Sequence, residues 1–318
     1  MLKNYLTIAW RNLLKNKLFS SINITGLSLG MAVALLIGLW ITDETSFDHY
    51  YQNHDRLAQV GCFAIDSKGT VYTNQVVAMP IGNELRNNYG KDFERLSLVS
   101  GPGTHILAVG DKRLSGQSMY AQKDFADMFS LHIVAGRRDV LQDPSTCLLS
   151  RSMAQKLFDS QDPVNKTIRV DNGIDLKVGG VFEDLPHNTT WYETACIMPW
   201  ENKANWLNSA YPQGDWNNHC GLMYVELKEH VSMGQAQAFV KHASTPHITG
   251  YEEDVAILPL DKLYLNNKFV NGKMSGGRID FVWLFGTIGV FVLLLACINF
   301  MNLSTAKSER RAKEVGIR

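Results

Sequence analysis

His219 and Cys220 stand side by side, next to Asn217 and Asn218, and are this sequence's nearest approach to a nucleophile with its base. A cysteine attacks as its thiolate and needs an imidazole within hydrogen-bond reach. Adjacent strand residues point to opposite faces, so the pair is poorly placed for that chemistry. The chain has no G-x-x-x-x-G-K-[ST], no H-E-x-x-H and no C-x-x-C. P-loop hydrolysis, metalloprotease and zinc-ribbon chemistry therefore lack their residues. The expectation is no catalytic residue, no cofactor and no metal: not an enzyme.

The remaining chemistry-bearing residues read as structural. Glu252-Glu253 is most simply a solvated turn. Cys62, Cys147, Cys196 and Cys220 allow three full disulfide pairings, and four separate small buried residues is the preferred reading. Asn23, Asn165 and Asn188 each open an N-x-[ST] triplet, a pattern short enough to recur by chance. Trp191, Trp200, Trp206 and Trp216 sit in a loop-rich stretch and are expected to cover a core rather than bind a ligand.

What must position these residues is set by two uncharged runs, 18–42 and 281–306, of 25 and 26 residues. A helix needs about 20 apolar residues to cross the hydrocarbon layer, so each run predicts a transmembrane helix. Gly26, Gly30, Ala34 and Gly38 recur every four residues and predict a helix-packing face. Asn299 and Asn302 lie three apart near the end of the second run, placed for interhelical hydrogen bonds. The first run is too long for a signal peptide and lacks a small-x-small site after it, so it reads as an uncleaved anchor.

The chain of 318 residues holds 31 basic and 31 acidic side chains, but they are unevenly placed. Residues 1–17 carry four basic residues and no acid, and residues 307–318 carry five basic and two acidic. The basic flanks predict both termini in the cytoplasm, with 43–280 outside as an acidic domain. That acidity argues against nucleic acid as a partner. Residues 1–17, with Leu2, Leu6, Ala9 and Leu13 at helical spacing, predict an amphipathic helix lying on membrane lipid.

Within 43–280 the patterning is α+β. The first helix continues to about Leu57, since Phe47, Tyr50 and His54 keep helical spacing. Strands are expected at 57–65 and 70–78, joined by the turn Asp66–Gly69, then across 95–122 and at 146–149, 166–171, 174–183, 221–228 and 254–260. Helices are expected at 80–88, 150–158 with Ser150 as N-cap, and 231–243.

Four stretches then carry a resemblance. They are Ile8–Lys17 with Gly26–Gly30, Asp43–Asp48 leading to His54–Leu57, Val178–Asn188 beside Leu148–Phe158, and Ala296–Arg318. In this order they resemble MacB/FtsX-type ABC transporter permeases of the Bacteroidetes type. The resemblance implies two transmembrane helices flanking a two-lobed mixed α/β periplasmic core, a porter-like lobe with a β-rich insertion near 101–186. It implies an inner-membrane permease that couples ATP hydrolysis by a separate cytosolic P-loop ATPase to movement of the periplasmic domain, in export, efflux or mechanotransmission. Further implied partners are a second permease copy or half, a periplasmic adaptor and an outer-membrane channel. Arg310, Glu314, Gly316, Ile317 and Arg318 fall where such permeases dock their ATPase. These permeases continue into further membrane helices, so the chain reads as truncated at Arg318. The alternative is a membrane-anchored sensor, which usually follows its second helix with a heptad linker; 307–318 shows no clear a/d pattern. An anchored surface enzyme would need a convergent polar pocket that the sequence does not display.

Overall fold

The computed structural model describes Arg11 and residues 17–65, 69–202 and 214–316. Apart from Arg11 and Lys17, the predicted amphipathic helix at 1–17 lies outside the described residues, as do residues 66–68 of the predicted turn and Trp206. The chain divides into a unit holding the two long helices and a second unit, Ser46–Gly276.

In chain order the elements are α1 (Lys17–Thr45), β1 (Leu57–Ile65), β2 (Val71–Asn74), β3 (Val77–Ala78), α2 (Ile81–Asn88) and β4 (Phe93–Val99). Then come β5 (Gly103–Val109), β6 (Lys112–Ala121), α3 (Phe125–Met128), β7 (Ile133–Gly136), β8 (Thr146–Ser150) and α4 (Arg151–Phe158). They are followed by β9 (Thr167–Val170), β10 (Ile174–Phe182), β11 (Thr194–Pro199), β12 (His219–Leu227), α5 (Met233–Val240) and β13 (Glu252–Pro259). The last are α6 (Leu260–Leu263), the small hairpin β14 (Phe269–Val270) and β15 (Lys273–Met274), and α7 (Arg278–Gly316).

Two stretches, Ser20–Thr45 of α1 and Arg278–Asn302 of α7, are long and apolar enough to cross a membrane. Their apolar side chains stand open: Leu36 is 66% exposed, Leu39 68% and Trp283 73%. Lipid, not water, suits such a surface.

The expected continuation of α1 to Leu57 does not occur. The helix ends at Thr45, and Asp48 takes φ +63°, the left-handed region that an α-helix cannot continue through. A 3₁₀ turn at His54–Arg56 then leads into β1.

Ser46–Gly276 is mixed α/β, built on one continuous hydrogen-bonded sheet. One part is antiparallel, in the order β4-β12-β1-β13. The other closes on itself: β6-β11-β8-β10-β9-β5 returns to β6. A single residue pair, Val99 and Ala121, links β4 to β6. Ring closure leaves none of these six strands as a bare edge. Gly179 permits tight packing against it, for a Cβ there would lie 2.5 Å from Val140 Cγ1.

Local signals agree with the helices. Ser150 caps α4 by accepting from the Met153 amide, as expected, and Ser232 and Gln235 form a capping box on α5. The strand β11 was not expected. All six of its residues are buried, so it lacks the alternation that marks a half-buried strand.

Candidate functional site

The two long helices meet along a seam. On α1 the shielded positions are 20, 23, 26–27, 30, 33–34, 37, 40–41 and 43–44, recurring at steps of three and four. That spacing keeps one face on a partner helix. A Cβ on Gly26 would lie 2.9 Å from the Asn299 side-chain nitrogen, and one on Gly30 would collide with Ala296. Further along, Gly289 and Gly286 of α7 receive Ile37 and Ile41, and the Trp40 ring meets Phe285 edge-on at 5.1 Å. Glu44 and Arg278 close the seam through a two-pronged ion pair.

The structure therefore brings Gly26, Gly30 and Ala34 to or beside the seam, with Asn299 against Gly26. It does not bring Gly38, which is exposed with nothing within 4 Å of where a Cβ would be. The reason is geometric. A four-residue step advances 400° on a helix of 3.6 residues per turn, so a strict four-residue repeat drifts around the helix and leaves the seam. Asn302 is exposed. Positions 310, 314 and 316 lie in α7, and their side chains, with Ile317 and Arg318, lie outside the described residues.

In the other unit, the residues following α1 in sequence are fastened at several points. Asp48 is 1% exposed and accepts from both the amide and the hydroxyl of Thr190 at 2.6 Å. Its own amide donates to the Asn188 carbonyl at 2.8 Å, and the Asn188 side chain donates to Ser46. Burial raises the Asp48 carboxyl from 3.8 to about 6, although the Thr190 hydrogen bonds pull the other way. Phe47 stacks on Tyr264 with ring centres 3.5 Å apart.

Tyr51 is fully buried and packs edge-on against Phe129, whose ring in turn meets Trp191 and Tyr224. Burial, then the nearby Asp48, pushes the Tyr51 phenol up. Arg56 donates to the Leu227 carbonyl and to Asn53, whose amide donates to Glu226. Glu226 is wholly buried and is neutralised by Arg95 at 2.7 Å. Thus Asp43–Asp48, His54–Leu57 and Val178–Asn188, apart in sequence, supply Asp48, Arg56 and Asn188 to one set of anchors.

A third constellation lies where β1 changes partner. It pairs with β12 as far as Val60 and with β2 from Cys62 onward, while β12 turns to β3 at His219. At this fork His219 Nε2 lies 2.7 Å from Glu253 Oε2. The Cys62 sulfur, a ring nitrogen of His219 and a Glu253 oxygen all lie within 4.8 Å of one another. The expected solvated turn at Glu252-Glu253 is thus corrected. It begins β13, and Glu253 is 6% exposed because its side chain turns inward to His219. The hydrogen bond to the Glu253 carboxylate raises the His219 imidazole despite burial. Burial first, and then Glu253, pushes the Cys62 thiol up.

No disulfide joins the five cysteines, all of them among the described residues. Cys147 and Cys196 nevertheless touch: a hydrogen bond between their sulfurs, then burial, pushes Cys196 up. Trp191 and Trp200 are buried in the core and Trp216 packs against it, its ring also stacked on His247 at 4.1 Å.

Sequence reasoning missed Glu44, Arg278, Asp48 and the Cys62–His219–Glu253 trio. One signal was present: acids, Asp43 and Glu44, follow the first uncharged run, and Arg278 stands shortly before the second. The trio had none, since its members come from three separate strands.

The family model for the MacB-like periplasmic core domain matches residues 20–243. A domain of a protein assigned as a permease from Porphyromonas gingivalis is 24% identical with TM-score 0.53, over 66% of this chain and 91% of that one. The periplasmic region of MacB from Actinobacillus actinomycetemcomitans is 17% identical with TM-score 0.47, over 68% and 92%. The extracellular domain of the noncanonic ABC-type transporter YknZ from Gram-positive bacteria is 14% identical with TM-score 0.43, over 63% and 99%. Among curated proteins nothing matches.

Proposed function

We propose that this chain, which belongs to the family of MacB-like periplasmic core domains of ABC transporter permeases, transmits ATP-driven movement from a cytosolic P-loop ATPase to its extracytoplasmic domain. Both termini lie in the cytoplasm and residues 43–280 lie in the periplasm, because the basic residues flank the two apolar runs on one side. The ATPase docks on the segment holding Arg310, Glu314, Gly316, Ile317 and Arg318. A second permease copy completes the membrane bundle. A periplasmic adaptor and an outer-membrane channel are the further partners of an exporter.

The antiparallel sheet β4-β12-β1-β13 with α2 and α5 serves as the porter-like lobe. The closed ring serves as the β-rich lobe, its strands running from Gly103 to Pro199.

The observation that carries this reading is the fastening of residues 46–57. Asp48 to Thr190, Asn188 to Ser46 and Arg56 to Leu227 leave that segment little freedom. A segment so held moves with its domain instead of absorbing movement. Transmission between distant sites needs such a stiff element with more than one global position.

The test is purification of the native-length protein from its own membranes, with partners identified by mass spectrometry. A stoichiometric P-loop ATPase is expected. A signalling kinase in its place, with no ATPase, would overturn the permease reading in favour of a sensor.

A further inference from the structure

We propose that Cys62, His219 and Glu253 bind a zinc-type divalent transition-metal ion. The three donors come from β1, β12 and β13, and their ligand atoms already lie within 4.8 Å of one another. Thiolate, imidazole and carboxylate are the donors that zinc takes, at about 2.3, 2.0–2.1 and 2.0–2.2 Å respectively. At a tetrahedral angle such bonds place ligand atoms roughly 3.3–3.7 Å apart. Loading therefore opens the 2.7 Å His219–Glu253 contact by about 0.6–0.8 Å and draws in the Cys62 sulfur, which lies within 4.8 Å of both.

The backbone is suited to hold this arrangement. On the β1–β13 pair, Cys62 faces Val255 and Ala64 faces Glu253, so Cys62 and Glu253 are diagonal neighbours on one face. His219 arrives from the fork where β12 leaves β1 for β3. Ladder hydrogen bonds thus fix two of the donors before any ion arrives, which lowers the ordering cost of binding.

Charge and burial agree. A thiolate, a neutral imidazole, a carboxylate and a divalent cation sum to zero, so the loaded site buries no net charge. Cys62 is 2% exposed and Glu253 6%, while His219 keeps partial access to solvent. A sulfur ligand disfavours magnesium and calcium, which take oxygen. Three protein donors leave a fourth position for water.

The experiment uses the full chain in detergent, stripped with chelator and then loaded with zinc or cobalt. One tightly held zinc per chain is expected, with X-ray absorption showing a single sulfur scatterer at about 2.3 Å. Cobalt should give a thiolate charge-transfer band in the near ultraviolet. C62S should abolish that band, and E253Q should weaken zinc binding at least about tenfold, since losing even a supporting contact costs about 10–100-fold. Less than one-tenth equivalent of zinc bound by the wild-type chain overturns the proposal. So does a zinc shell of nitrogen and oxygen alone, a reading that needs no variant to fold. So does a cobalt band that survives in folded C62S, which would place the ion on another cysteine. Loss of ATPase association leaves all these readings unchanged, so the proposal stands or falls apart from the permease reading.

Discussion

Glu44 and Arg278, 234 residues apart in sequence, join the two long helices through a two-pronged ion pair with contacts of 3.0 and 2.7 Å. Two parallel bonds fix the orientation of both side chains, which a single point contact would not do. Glu44 is 7% exposed, so its charge is mostly withdrawn from water and depends on this partner.

Replacing Arg278 by Gln removes this two-pronged ion pair from Glu44. The helix pair should lose about 1–2 kcal/mol, discounted because Arg278 is itself partly exposed. Thermal unfolding in detergent measures the loss. The charge-swapped double variant E44R/R278E should recover part of it, and no recovery would assign the loss to packing.

The seam makes a differential prediction. A larger side chain at Gly30 collides with Ala296, whereas one at Gly38 meets nothing. G30L should destabilise the helix pair by about 1–3 kcal/mol and G38L should not. Equal melting temperatures for the two variants would remove the seam as drawn.

How far the sequence revealed this architecture depends on the kind of signal. The two membrane helices were legible because 25 uncharged residues admit few other readings. The end of α1 was not, since Phe47, Tyr50 and His54 keep helical spacing and the break rests on the left-handed backbone of one aspartate, Asp48. The small residues were read as a strict four-residue repeat, which helical drift carries around the helix, so Gly26 and Gly30 lie against α7 while Gly38 is exposed. β11 was hidden because burial on both faces erases alternation. Glu253 read as solvated because a sequence gives no warning that His219, 34 residues before it, will fold onto it.

Asp48 predicts a pH dependence. Its carboxyl is held at about 6 against 3.8 ordinarily, because burial disfavours the anion. The folded state therefore keeps this proton more tightly than the unfolded chain. Its contribution to stability is full below 3.8 and is lost as pH rises through about 6. The loss amounts to at most about 3 kcal/mol. Melting temperature against pH for wild type and D48N measures it: the variant lacks this decline. Parallel curves across that window would contradict the assignment.

Trp191 is 2% exposed and meets Phe125, Phe129 and Tyr224 edge-on. Truncation to alanine should cost about 3–5 kcal/mol. Denaturant unfolding of W191A followed by circular dichroism checks this, and a loss below about 1 kcal/mol would show that the cluster refills the space.

Glu314 lies in the segment proposed to dock the ATPase. In the native-length protein, E314K should reduce co-purification of the ATPase while membrane insertion is unchanged. Full co-purification and full activity would move the docking site elsewhere.

The central claim is that nucleotide state on the cytoplasmic side moves the extracytoplasmic domain. Gln155 is an exposed position on α4, suited to a spin label once the exposed Cys297 is replaced by Ser. The most direct measurement is the distance between labels on the two permease copies of the assembled complex, nucleotide-free and with ATP bound. The account predicts that the distance distribution shifts between the two states. Identical distributions, in a complex shown to bind ATP, would contradict it.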